Sequence, residues 1–182
     1  MQDLHLQELT NEELKAVYET EMTRDFHPDE RKPLAMIEAA RDRGEYAACG
    51  IFAGESRVGY AFFVQIPGMQ LLDYFAVQPE LRCKGIGCAF LHLLKTYCGT
   101  DCLLLETEDP DHIPGAEAER RLRFYLRNGC RDTGYRAAVW GVPYRILLLA
   151  GNTDDPAAVY AQLYRHMLPA HLFETKVSIR KA

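Results

Sequence analysis

A basic loop punctuated by two glycines, set between an apolar run and an amphipathic stripe, constrains this chain more than any other stretch. The run is Leu71-Leu72-Asp73-Tyr74-Phe75-Ala76-Val77, which Pro79 ends. The loop is Arg82-Cys83-Lys84-Gly85-Ile86-Gly87. The stripe is Ile86, Ala89, Phe90, Leu93, Leu94 and Tyr97, spaced as one face of a helix about three turns long. Strand, glycine loop and helix together make an anion site. The first turn of a helix has unpaired N–H groups and a partial positive charge, and glycines let a phosphate approach them. Arg82 and Lys84 bring two full charges to the same place.

The rest of the chain narrows what that site can serve. A length of 182 residues suits one domain, expected over 1–182 with a core from 4 to 150 and a helical extension from 151 to 182. No run approaches the roughly 18 apolar residues that a membrane helix needs. The first residues, MQDLHLQELTNEEL, are acidic and mixed rather than a secretory signal. A net charge of −5 disfavours nucleic acid as a partner and suits a cationic substrate. The six cysteines (Cys49, Cys83, Cys88, Cys98, Cys102, Cys130) include no C-x-x-C pair, so reduced thiols in the cytoplasm are expected, with no metal. Cys83 and Cys88 bracket the glycine loop as sites open to oxidation.

In chain order, Leu4 to Leu9 alternates like a half-buried strand, and Thr10-Asn11-Glu12-Glu13 reads as a capping box. The helix it opens carries Leu14, Val17, Tyr18 and Met22, and Phe26-His27-Pro28 interrupts it. Pro33 opens a second helix, which Gly44 ends. Tyr46–Phe52 and Val58–Ile66 form a hairpin about Gly54, and the third strand completes a meander. Cys102-Leu103-Leu104-Leu105-Glu106, fully apolar before its last residue, is expected as a central strand parallel to its predecessor. The acidic loop from Thr107 to Gly115 reads as solvated. A helix with Ala118, Leu122, Tyr125 and Leu126 on one face then ends at Gly129. Strands follow at Arg131–Tyr135 and, from Pro143 onward, Tyr144–Ala150. A last helix carries Tyr160, Leu163, Tyr164 and Met167, a stripe that either packs on the sheet or meets a second subunit in a homodimer. The tail from Phe173 is either a short edge strand or loosely held.

Val77-x-Pro79-x-x-Arg82-x-x-Gly85-x-Gly87 resembles the acetyl-CoA signature of the GCN5-related N-acetyltransferases, the GNAT family. Phe124-Tyr125, followed by Gly129, resembles that family's later helix end. The chain departs from the pattern at Cys130, where Phe is usual, and at Ala118, where Asn is common. The resemblance spans Leu4 to Ala150. It implies an α/β (α+β) fold: a mixed, mostly antiparallel seven-stranded sheet flanked by helices, in the order β-α-α-β-β-β-α-β-α-β-β plus a C-terminal helix.

It also implies acetyl-CoA as co-substrate, with Arg82, Cys83, Lys84, Gly85, Ile86 and Gly87 around the pyrophosphate. Phe75, Ala76 and Val77 would pair with pantetheine through their backbone, where the family splays this strand from the next. Phe26 and His27 fall on the acceptor side. The acceptor is a primary amine of a small molecule or peptide. Its proton goes to Glu106, to Asp73 or to an ordered water, and Tyr125 assists the leaving thiolate. Glu106 stands at the carboxyl end of its strand, where open α/β sheets gather their ligands. A noncatalytic acyl-CoA sensor or regulatory module would keep the glycine loop without needing Tyr125 or a base. An unrelated nucleotide-binding α/β domain fits poorly, because three strands pair consecutively before the loop.

Overall fold

The computed structural model describes residues 4–97, 101–113 and 115–182. They form one eight-stranded sheet in the order β1-β2-β3-β4-β5-β7-β6-β8. The strands are β1 (Leu4–Glu8), β2 (Tyr46–Ala53), β3 (Ser56–Ile66), β4 (Met69–Val77), β5 (Cys102–Glu108), β6 (Arg131–Val139), β7 (Val142–Ala150) and β8 (Val177–Lys181). All neighbours are antiparallel except β4 and β5.

Helices cover both faces. On one lie α1 (Asn11–Val17), continued by a π turn at Tyr18–Met22 into α2 (Thr23–Asp25), then α3 (Leu34–Asp42) and α6 (Pro156–Met167). On the other lie α4 (Ile86–Tyr97) and α5 (Ala116–Arg127). The short α7 (Ala170–Lys176) leads into β8. β5 shows how the sequence serves both layers: Leu104 packs towards α1 and α6, while Leu103 and Leu105 pack towards α4 and α5.

Local signals are realised closely. The Thr10 hydroxyl accepts from the N–H of Glu13, whose carboxylate accepts from the N–H of Thr10. Gly54 turns the first hairpin with φ of 59°. Gly44 follows α3 at φ 74°, a conformation that costs glycine little. The stripe of α6 (Val159, Tyr160, Leu163, Tyr164, Met167) is buried on the sheet of its own chain.

The sequence reading needs correcting in four places. The sheet has eight strands rather than seven, because the tail pairs as β8 along β6 from Tyr135 to Val139. β6 runs on to Val139 and turns through Trp140 and Gly141, both at positive φ, as a right-twisted two-residue hairpin favours. β7 therefore begins at Val142, with Pro143 second, near the strand's end where a missing N–H matters least. On the helices, Tyr97 (61% exposed) and Leu126 (42% exposed) lie off the buried faces, and Leu91 takes the inner position on α4. Cys98 lies outside the described residues; the five other cysteines are free, three of them buried. No helix among the described residues is long and apolar enough to cross a membrane.

Candidate functional site

The sheet opens where one extra residue is inserted into β4. Phe62 of β3 pairs with Tyr74 and Phe63 with Leu72, so Asp73 is passed over as a β-bulge. Bulges bend the strand that carries them. β4 and β5 stay paired from Met69 to Leu72, and the pairing stops at the bulge. Beyond it, Phe75, Ala76 and Val77 pair with β3 but have no partner on β5. A cavity of about 840 Å³ occupies the slot and reaches both faces of the sheet.

On the α4–α5 face the cavity meets the glycine loop. Cys83 (φ 61°) and Gly85 (φ 85°) are left-handed, and Lys84 lies between them. Alternation of this kind turns successive N–H groups towards a common point. The N–H groups of residues 83 to 88 find no acceptor among the described residues. Gly87 lies under Phe124: a Cβ there would stand 3.1 Å from the ring, so a side chain would push on the wall of the slot. Arg82, Arg120, Arg121 and Arg127 line this end. Arg82 itself is tethered, its Nε donating to the Val77 carbonyl at 3.0 Å and its Nη2 to Asp25 at 2.6 Å.

Tyr125 reaches the cavity from α5. Its side chain is buried, and its hydroxyl makes no hydrogen bond with the described residues. Burial pushes the phenol up to about 12, eased by Arg121. Thr107, also buried and lining the cavity, has a hydroxyl with no partner among the described residues.

The other opening is acidic and aromatic, lined by Phe26, Glu30, Asp73, Tyr74, Glu106, Glu108 and Tyr144, with Lys32 as the cation. Phe26 packs edge-on against Tyr74, with ring centroids 5.0 Å apart. Asp73 is fully engaged: it accepts from Lys32 at 2.5 Å and from the Tyr46 hydroxyl at 2.7 Å. Lys32 also faces the rings of Tyr74 and Tyr164, each 5.3 Å away. Glu106 accepts from Tyr160 and from Tyr164, the latter at 3.0 Å to each oxygen. Burial raises its carboxyl, against the opposing pull of Lys32 and the two phenols. Burial likewise raises Glu108, opposed by Arg121 at 3.0 Å.

The cavity thus brings together Phe26, Asp73, Phe75, Ala76, Val77, Arg82, Cys83, Gly85, Gly87, Glu106 and Tyr125. Three residues singled out in the sequence are elsewhere. His27 caps a short 3-10 turn with a side chain 70% exposed, Lys84 is exposed outside the lining, and Ile86 is in the core beneath it. Sequence reasoning missed Asp25, Lys32, Tyr160 and Tyr164, each of which acts through contacts remote in the chain, and Thr107, whose buried hydroxyl has no partner among the described residues. The acidic loop after β5 is a structural ion-pair cluster rather than a solvated one. Asp109 is buried between Arg145 (2.7 Å), Arg136 (3.5 Å) and His112 (2.9 Å).

Neither protein-family models nor curated proteins match the sequence. Solved structures do. A protein from Bacteroides thetaiotaomicron assigned to the GNAT-family acetyltransferases superposes with a TM-score of 0.71 at 22% identity, over 88% of this chain and 94% of that one. This chain has the GNAT fold. Two other GNAT-like neighbours are the Escherichia coli ribosomal-protein-S18-alanine N-acetyltransferase and a Bacillus subtilis acetyltransferase in complex with CoA. The first has a TM-score of 0.59 at 16% identity, over 84% of this chain and 97% of its own. The second has 0.54 at 16%, over 80% and 95%. In the GNAT fold of this chain, the bulged strand and the glycine loop that follows it both line one opening.

Proposed function

We propose that the protein is an acetyl-CoA-dependent N-acetyltransferase acting directly on a primary amine of a small molecule or peptide. One observation carries the reading: the backbone of Phe75–Val77, which has no partner on β5, the free N–H groups of the glycine loop and the Tyr125 hydroxyl, unpartnered among the described residues, all border a single cavity. The loop N–H groups and arginines suit a pyrophosphate, and the open edge of β4 suits an extended amide-bearing chain that can pair as a strand. The acidic, aromatic opening suits a protonated amine.

Acetyl-CoA supplies an acyl thioester, whose C–S bond breaks as the C–N bond forms. The chain's own residues then have two tasks. Glu106 accepts the proton that the amine gives up. Its raised proton affinity, set by burial, brings a carboxylate nearer to what a base needs at neutral pH. Asp73 is the weaker candidate, because Lys32 and Tyr46 already occupy its oxygens. Tyr125 donates a hydrogen bond to the departing sulfur. A phenol near 12 is less acidic than a thiol near 8.5, so the donated hydrogen stays mainly on the tyrosine. Positioning amine and thioester together contributes the remainder.

The test is CoA release from acetyl-CoA across a panel of amines, diamines and peptides. Amine-dependent release that falls in Tyr125→Phe and Glu106→Gln supports the enzyme. Acetyl-CoA binding with no release for any amine would make the chain a noncatalytic acyl-CoA-binding module.

A further inference from the structure

Helix α6 lies beyond the stretch that the family motifs cover, yet it reaches the carboxylate of Glu106, a residue of the cavity lining. Asp155 caps its start, accepting from the Ala158 N–H at 3.0 Å, and Pro156 occupies the first turn. Tyr160 and Tyr164 are four residues apart, so they share one face, with ring centroids 4.8 Å apart and planes tilted by 40°. Both hydroxyls point at the same carboxylate, that of Glu106. Two donors on one acid, contributed by one helix, leave that acid little freedom to rotate.

Resting on the reading of Glu106 as the base, we propose that Tyr160 and Tyr164 are positioning residues: they fix the orientation of its carboxylate and keep it charged until the amine arrives. The chemical reason is the imbalance around Glu106. Burial and the neighbouring Asp73 favour its neutral form, whereas Lys32 and the two phenols favour the charged one. Lys32 is already committed to Asp73 at 2.5 Å, so it serves two acids at once. Among the described residues, the remaining titratable groups facing Glu106 are Tyr74 on β4 and Tyr144 on β7, and neither donates to it. The phenols of α6 are therefore the hydrogen-bonding part of the balance. They can fill that role across the working pH range, because burial beside Glu106 raises both well above an ordinary phenol and keeps them protonated.

A hydrogen bond to a charged group is worth about one to two pH units of proton affinity. Each of Tyr160→Phe and Tyr164→Phe keeps the ring and its packing but removes one donor, so each should raise the Glu106 titration by that amount. The readout is the Glu106 carboxyl resonance in protein labelled with carbon-13 glutamate, assigned by its loss in Glu106→Gln. Circular dichroism melting shows whether each variant is folded. In turnover, the acid limb of kcat/KM should move up in parallel, with the KM for acetyl-CoA unchanged.

An unmoved carboxyl titration in both folded variants overturns the proposal. So does a titration that moves while the acid limb stays in place, since the tyrosines then act on an acid that does not take the proton. Should the wild-type protein turn over no amine, the enzyme reading fails separately, and the carboxyl titration still decides what the tyrosines do. The double variant Tyr160→Phe/Tyr164→Phe, with the larger shift, is the confirming case.

Discussion

Arg82 and Asp25 form an ion pair at 2.6 Å that ties the glycine loop to the end of the first helical segment. The Asp25 side chain is only 4% exposed and also accepts from Arg24 at 2.8 Å and from the Tyr60 hydroxyl at 3.2 Å. It is the common anchor of three donors, one of which belongs to the glycine loop. Asp25→Ala should therefore lower stability by about 1–3 kcal/mol, because it strands partly buried donors. It should also weaken acetyl-CoA binding, because Arg82 loses its fixed position. Urea unfolding and calorimetric titration measure the two effects. Unchanged affinity would show that Arg82 takes no part in holding the cofactor.

Acid sensitivity follows from two buried acids. Burial pushes Asp25 up, but hydrogen bonds from Arg24 and Arg82 outweigh it and hold the carboxyl below its ordinary value. Asp109 behaves alike, with Arg145 and His112 outweighing burial. A depressed acid contributes stability that is present above its unfolded pKa, near 3.9, and is lost as pH falls through the lower folded value. Stability should accordingly fall from about pH 4 downward. Asp109→Asn should be less stable at pH 7 and show a shallower fall below pH 4 in denaturant titrations at stepped pH.

Acetyl-CoA should stabilise the fold by mass action, by about 2.7 kcal/mol at a hundredfold excess over Kd. Gly85→Glu should abolish the thermal shift. It forces a side chain into a left-handed backbone (φ 85°) and places a negative charge among the loop N–H groups. A full shift in that variant would put the cofactor elsewhere.

Tyr125→Phe should reduce turnover by about ten- to a thousandfold while acetyl-CoA affinity changes little. The ring stays packed beside Phe124, with centroids 5.3 Å apart, and only the unpartnered hydroxyl is lost. Steady-state kinetics on the best acceptor decide it. Full activity would remove Tyr125 from the mechanism without touching the binding of acetyl-CoA.

Truncation before Asp154 should unfold the protein. It uncovers the face of the sheet that Tyr160, Leu163, Tyr164 and Met167 bury, and single large-to-small changes in such a core already cost about 2–5 kcal/mol. Size-exclusion chromatography and circular dichroism of the shortened chain measure it. A folded product of native compactness would mean the helix is dispensable to the core.

What the sequence made legible was local. The capping box, the Gly54 hairpin and the strand–glycine loop–helix stretch each rest on residues within a few positions of one another. The bulge at Asp73 left no such mark, since a register shift belongs to two strands and Asp73 alone looks like an ordinary polar residue. Glu106 was legible as an acid following an apolar strand, but not as the strand's end: β5 runs on to Glu108, and Glu106 pairs with Ile146 inside it. Its tyrosine partners, 54 and 58 residues away, carry no signal of their own, because a stripe with Tyr160 and Tyr164 reads as core. Tyr97 and Leu126 mark the edge of what periodicity resolves: a helical face has a centre set by spacing and a boundary set by whatever packs beside it.

The opening between β4 and β5 is made by main chain, through one surplus residue, and its rim at Phe75–Val77 offers backbone groups rather than side-chain functions. A rim of that kind is tolerant of mutation: many strand-forming residues at 75–77 would present the same N–H and C=O groups. Losing Asp73 would be different. The deletion would take away the bulge and, with it, the acceptor that Lys32 and Tyr46 share, so the loss of one residue would cost the sheet both its bend and a buried ion pair.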